Sequence, residues 1–267
     1  MNLNPSETVL ITGASSGIGF ELAKLFARDG YGLVLNARDP ERLNQAAKQI
    51  ESRSGGPVLT AACDLSRPGG PLEISRILKE KKIEPDILIN NAGYGIYGSF
   101  EKTDPARELE MIQLNILSLT HLTKLFLPAM LRKGRGKILN VASTAAFQPG
   151  PLMAVYYATK AYVYSFTRAL KRELTGRGIT VSVLCPGPTR SNFQDTAGID
   201  KRIKLFQTTL MTPAQVAAIA YRKFKNGREV IIPGLVNQIF ALGSRLMPEG
   251  LVIEAVHFLQ KSKARDV

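Results

Sequence analysis

Three side chains in this 267-residue sequence have the types needed to move a proton on and off a carbon-bound oxygen: Ser143, Tyr156 and Lys160. Tyr156 and Lys160 are four residues apart, so on a helix they share a face. An ammonium near a phenol stabilises the phenolate and draws its pKa down from about 10 toward working pH. That would make Tyr156 a general acid or base for a carbonyl/alcohol pair. Ser143 could donate to the same oxygen. Tyr157, Tyr162 and Tyr164 lie close by, but only Tyr156 has a lysine at i+4. A Tyr and a Lys at this spacing also occur by chance, so the pair acquires meaning only from its surroundings.

A second group of residues could hold a nucleotide. Thr12-Gly13-Ala14-Ser15-Ser16-Gly17-Ile18-Gly19 is a glycine-rich turn with GxxxGxG spacing. Glycines permit a tight turn and close approach of a diphosphate, and N–H groups at the following helix start face the phosphates. The apolar run after it ends Asn36-Ala37-Arg38. A carboxylate there would bond both ribose hydroxyls and repel a 2′-phosphate; Arg38 instead supplies a planar cationic fork. This favours NADP(H) over NAD(H). Asp39 could be the missing acid, although its place before Pro40 suits a helix cap better. Asp64 could accept from an adenine amino group or could simply cap a turn. Asn90-Asn91-Ala92-Gly93 would suit backbone packed against a flat ligand, and a plain turn would look the same. Asn115 is a polar residue in an apolar helical stretch, Met111 to Leu127; buried there, it would need partners.

The elements that must position these residues alternate. Short apolar runs at 8–11, 32–35, 58–63, 87–89, 137–141, 179–184 and 229–232 read as strands. Helical spacing fills 17–28, 40–50, 72–82, 105–132, 152–174 and 213–225, with 105–132 either one helix or two merged. Continuously apolar strands separated by helices predict a parallel sheet covered on both faces. The expectation is therefore an α/β fold: a Rossmann-type, doubly wound parallel sheet of about seven strands in three αβα layers, with its ligand across the carboxyl ends.

Composition agrees with one domain over 1–267. Apolar residues make up 45% and charged residues 21%. Two cysteines, Cys63 and Cys185, form no CxxC pair and no disulfide framework, which reads as a reduced, cytoplasmic protein. No export signal and no uninterrupted apolar stretch of membrane-spanning length is apparent. His121 and His257 lack ligand-like spacing, so neither a metal site nor a Ser–His hydrolase is expected. Net charge is the unusual feature: 35 Lys plus Arg against 22 Asp plus Glu, or +13. No basic helix with interleaved aromatics is present, which argues against nucleic acid.

Taken in order, the motifs resemble the short-chain dehydrogenase/reductase family over roughly residues 8–195. They are TGASSGIG at 12–19, Asp64, NNAG at 90–93, Asn115, Ser143, Tyr156-Tyr-Ala-Thr-Lys160 and Pro186-Gly187-Pro188-Thr189. The resemblance implies a catalytic group of Asn115, Ser143, Tyr156 and Lys160. Tyr156 would transfer the proton and Ser143 orient the carbonyl. Lys160 would bind the nicotinamide ribose and lower the Tyr pKa, and Asn115 would hold a water linking Lys160 to solvent. It implies cofactor contacts from Gly13, Ser15, Ser16, Gly17, Ile18, Gly19, Arg38, Asp64, Asn91, Ala92, Gly93, Tyr156 and Lys160. Pro186 and Gly187 would pack near the nicotinamide, and Thr189 would bond its carboxamide. Asn91-Ala-Gly-Tyr-Gly-Ile-Tyr-Gly98 and Pro186-Gly-Pro-Thr-Arg-Ser191 resemble the bacterial branch related to 17β-hydroxysteroid and long-chain 3-ketoacyl reductases. Ser16 stands where some NADP(H) members carry a basic residue, so the 2′-phosphate reading rests on Arg38, with Ser15 in support.

The implied reaction is reduction of a ketone, or oxidation of the matching alcohol, on a lipophilic small molecule. A nucleotide-binding sensor or scaffold with little turnover is the rival reading. The resemblance also suggests a homodimer or homotetramer through 105–132 and 152–174. Residues 190–212 would form a substrate lid. Lys201 to Arg228 contains seven Lys or Arg and no acid. Residues 235–267 form a C-terminal helical extension in which Leu235, Ile239, Leu242 and Leu246 recur at helical spacing. It would cover the core or a subunit, or else make peripheral contact with an anionic membrane. From Arg38 we expect tighter binding of NADPH than of NADH, levelled or reversed by Arg38→Asp; equal affinities of the unmodified protein in a fluorescence titration would refute the argument.

Overall fold

The computed structural model describes residues 7–54, 58–190, 193, 197–198 and 210–261. Most of the expected lid, and the last six residues of the C-terminal extension, lie outside the described residues. The seven strands are β1 (Thr8–Thr12), β2 (Gly32–Ala37), β3 (Val58–Ala62), β4 (Ile87–Asn90), β5 (Gly136–Val141), β6 (Ile179–Leu184) and β7 (Val230–Ile231). They form one parallel sheet in the order β3-β2-β1-β4-β5-β6-β7. The chain winds outward from β1 to β3, returns to β4 beside β1, and winds outward again. The switch between β1 and β4 opens a crevice at their carboxyl ends.

The helices are α1 (Gly17–Arg28), α2 (Pro40–Ser54), α3 (Gly70–Glu80), α4 (Pro105–Ile112), α5 (Leu119–Lys133), α6 (Ala154–Glu173), α7 (Pro213–Lys225), α8 (Leu235–Leu246) and α9 (Glu249–Gln260). A π-helical turn, Gln113–Ser118, joins α4 to α5. Strand residues alternate between two apolar layers, as the pleat requires. Val9, Ile11, Leu33 and Leu35 pack with Leu22, Phe26, Leu43, Val216 and Phe224 of α1, α2 and α7. Leu10, Val34, Leu88 and Ile138 face Ile74, Leu78, Leu122, Phe126 and Leu170 of α3, α5 and α6. Both faces are therefore dry, which explains strands without polar alternation.

The run Pro105–Lys133 is one continuous helix of 29 residues that holds an 18-residue window of mean hydropathy 1.3, long and apolar enough by those measures to cross a membrane. No uninterrupted apolar stretch of that length is present, since Gln113, Asn115, His121 and Lys124 interrupt the run. Leu122, Phe126 and Met130 nevertheless pack on the sheet. Pro128 is accommodated within α5, which ends at Gly134 in the left-handed conformation (φ 62°).

One ion pair ties the two ends of the first layer together. Asp29 Oδ2, just past α1, accepts from the Tyr221 hydroxyl at 2.5 Å and from Lys225 Nζ at 3.0 Å, both on α7. The Tyr221 bond, then the Lys225 bond, hold the Asp29 pKa down to about 2. A depressed carboxyl contributes stability above its unfolded pKa and loses it as pH falls through the folded value. Asp29→Asn should cost about 1 kcal/mol at pH 7, and the gap from the parent in urea midpoint should close between pH 4 and pH 2.

Candidate active site

The crevice is stitched by side chains from both sides of the strand switch. Gly13 and Gly17 adopt φ of 64° and 60°, which side chains rarely tolerate. A Cβ at Gly13 would lie 2.9 Å from the Ala92 Cα, so the first turn rests on the loop after β4. Asn91 Nδ2 donates to the carbonyls of Thr12 (2.9 Å) and Gly13 (3.1 Å). The Thr12 hydroxyl accepts from the N–H groups of Asn91 and Ala92, each at 3.0 Å. Asn91 is thus a clamp on the turn, and Thr12 is its unforeseen partner. Ser16 precedes α1 in extended backbone and makes no side-chain cap bond to it.

At the end of β2, Asp39 Oδ1 accepts from the N–H groups of Glu41 (3.0 Å) and Arg42 (3.1 Å), the helix-cap role. Asn36 is buried and donates to the carbonyls of Ala61 and Cys63. Arg38 stays exposed beside the crevice. Asp64 Oδ1 accepts from the Ser66 N–H (2.9 Å) and hydroxyl (2.7 Å), so it does close a turn. Burial pushes its pKa up, but the Ser66 bonds and the charges of Arg38 and Arg67 outweigh it and hold the carboxyl below its ordinary value.

Asn115 lies in the π turn, where the extra residue per turn rotates its side chain inward. It is buried (1% exposed) and fully engaged. Nδ2 donates to the Tyr94 carbonyl and to the Thr159 hydroxyl, both at 3.0 Å, and Oδ1 accepts from the Tyr94 N–H at 3.3 Å. The Thr159 hydroxyl in turn donates to the Tyr156 carbonyl at 2.7 Å. A Cβ on Gly93 would meet Asn115 Oδ1 at 2.9 Å and Lys160 Nζ at 3.3 Å, so both groups converge on that glycine. Tyr94 and Thr159 are hydrogen-bond partners of Asn115 that the motifs did not single out; only their adjacency to Gly93 and Lys160 hinted at them.

Ser143 follows β5. Its Oγ accepts from the Ala145 N–H (3.1 Å) and donates weakly to the Pro186 carbonyl (3.4 Å), with the Tyr156 hydroxyl within hydrogen-bonding reach. Tyr156 is buried at 8% exposure, its ring 5.3 Å from that of Phe193 and 6.1 Å from that of Tyr157. Lys160 Nζ donates to the Val141 carbonyl at 3.0 Å and sits 5.7 Å from the centre of the Tyr156 ring. Beyond them, Thr189 Oγ1 donates to the Gly187 carbonyl at 2.9 Å, and Thr189 bridges to Met211. Asn237 of α8 packs against the bare face of Gly187.

The expected drop in the Tyr156 pKa is overturned. Burial pushes the phenol up to about 12, and the Ser143 bond only partly offsets this. The i, i+4 spacing places the lysine over the Tyr156 ring. Burial also holds Lys160 down to about 8. The pair is therefore a protonated phenol above a lysine whose charge is costly to keep.

With this geometry in place, sequence and structure comparisons identify the scaffold. A profile described as short chain dehydrogenase matches residues 7–202. The chain belongs to that family. It is 32% identical over 236 residues to the ketoacyl reductase HetN of Nostoc sp., covering 87% of this chain and 79% of that protein. It superposes on a short-chain dehydrogenase from Sphingobium yanoikuyae in complex with NADPH at a TM-score of 0.81, with 35% identity and 98% of each chain covered. It also superposes on the bulky-bulky ketone specific alcohol dehydrogenase from Comamonas testosteroni at a TM-score of 0.77, with 29% identity over 99% of this chain and 98% of that one. This short-chain dehydrogenase is accordingly an oxidoreductase on a Rossmann-type sheet.

The Lys160 shift has a measurable sign. Between the folded pKa of about 8 and the unfolded value of 10.5, the unfolded chain binds more protons, so stability rises with pH across that window. Lys160→Met removes the effect. Relative to that variant, the parent should gain about 2 kcal/mol between pH 7 and pH 10 in urea unfolding.

Proposed function

We propose that this short-chain dehydrogenase is an NADP(H)-dependent carbonyl reductase for lipophilic ketones, with Tyr156 as the proton donor. The observation that carries the reading is the convergence of Ser143, Tyr156, Lys160 and Asn115 at the carboxyl ends of β4 and β5. The residues around them fit a dinucleotide. The positive φ values of Gly13 and Gly17 leave backbone room for a diphosphate beside Ser15, Ser16, Ile18 and Gly19. Arg38 is exposed, Asp39 is occupied at its helix cap and Asn36 is turned inward. It would take the 2′-phosphate, and Asp64 the adenine amino group. Asn91, Ala92 and Gly93 would back the cofactor, and Pro186, Gly187 and Thr189 would meet the nicotinamide. The NADPH complex of the Sphingobium relative supports this choice.

When bound, NADPH supplies the hydride. Ser143 holds the substrate carbonyl oxygen, and Tyr156 delivers its proton to that oxygen as negative charge grows there. A phenol at about 12 retains its proton at neutral pH and so is available as a donor. Lys160 sets a positive charge beneath the ring, and Asn115 keeps α6 and the Tyr94 loop in register. The surrounding wall is apolar: Ile96, Met153, Phe193 and the rings of Tyr94 and Tyr97. That lining, with the ketoacyl and bulky-ketone names of two relatives, supports a lipophilic substrate. Exposed Leu109, Leu117 and Tyr162 on the α4–α6 surface support self-association there.

Tyr156→Phe should lower turnover by at least about a thousandfold while leaving NADPH affinity within a factor of about three, a loss in the upper range for acid–base groups. A ketone panel followed by NADPH absorbance tests it. Undiminished activity would sink the mechanism, and NADPH binding without oxidation across a broad panel would favour a nucleotide sensor.

A further inference from the structure

The two C-terminal helices are loosely held. Leu235, Val236, Ile239, Phe240, Leu242 and Leu246 of α8 are exposed, and its one buried residue is Ala241. In the twelve residues of α9, only Val252 and Gln260 are buried. A helix with so little buried apolar surface depends on its few anchors. The anchor at its end is polar. Gln260 is 0% exposed, and its Nε2 donates to the Tyr157 hydroxyl. Its backbone carbonyl accepts from the Tyr97 hydroxyl at 2.8 Å. Its Oε1 is buried without a hydrogen-bond partner among the described residues.

Both tyrosines pack beside the candidate site. Tyr157 follows Tyr156 on α6 and packs edge-on against its ring, and Tyr97 lies on the loop after β4. Val256, one turn before Gln260, joins the same apolar cluster as Tyr156, Met153 and Phe193. An apolar side chain could fill the position of Gln260 without an orphaned oxygen, so its packing alone does not account for a glutamine.

We propose that Gln260 is a positioning residue for substrate binding. It latches α9 onto Tyr157 and Tyr97, and so makes the C-terminal helix one wall of the space beside Tyr156. This inference rests on the carbonyl-reductase reading for its kinetic consequence, but the latch itself does not. The test compares the parent with Gln260→Leu, Tyr157→Phe and the double variant. Amide hydrogen exchange of residues 249–260 is read without ligand, and kinetics are read with propiophenone and NADPH.

Each single variant should speed exchange in α9 at least tenfold while leaving α6 unchanged, and the double variant should add little. KM for propiophenone should rise about fivefold, with kcat within twofold and NADPH affinity unchanged. Unaltered exchange, or additive effects of the two substitutions, would overturn the latch. Unaltered KM in a variant with loosened α9 would overturn its role as a wall. If even the parent leaves every ketone of the panel unreduced, the reductase reading fails, and the exchange data decide the latch on their own.

Discussion

The carboxamide of Asn115 is the constraint on which the site depends. It is buried in the middle of a 29-residue helical run, and a buried amide must find partners or destabilise the fold. Its partners lie in two other segments: the Tyr94 backbone after β4 and the Thr159 hydroxyl on α6. Satisfying one side chain therefore fixes the distance between the two strand-end loops and the helix that carries Tyr156 and Lys160. The π turn is the local adjustment that makes this possible, since a regular α-helix would turn position 115 elsewhere. The same economy recurs at the strand switch, where Thr12 and Asn91 satisfy each other's segments and leave the glycines bare.

Burial gives this arrangement its chemistry. Charge is expensive in the dry wedge between β5 and α6, so the phenol is pushed to hold its proton and the lysine to release its own. The two shifts run in opposite directions because one group is charged when it loses a proton and the other when it keeps one. Proximity of a cation was expected to dominate. Desolvation is the larger effect, and the ammonium is committed to the Val141 carbonyl.

The net charge of +13 finds only part of its explanation here. Lys160 donates to the Val141 carbonyl, and Lys225 pairs with Asp29. The exposed apolar side chains of α8 and α9 contrast with that basic surface. These helices meet the site through two carboxamides, Asn237 against Gly187 and Gln260 against Tyr157. Val256 adds an apolar contact in the cluster that holds Tyr156.

The sequence by itself determined the sheet, its winding and the identity of the residues at its carboxyl edge. Apolar runs of strand length, glycine spacing and the i, i+4 pair are local patterns, and local patterns follow from backbone geometry. Asp39 before Pro40 was legible as a cap for the same reason. Tertiary structure alone decided the roles that depend on distant partners. The contacts of Thr12, Tyr94, Thr159 and Gln260 could not be read from local pattern, because each meets a residue far away in the chain. The direction of the Tyr156 shift was equally invisible. Spacing places a lysine on the same helical face, but only the packed structure sets how dry that face is and where the ammonium points.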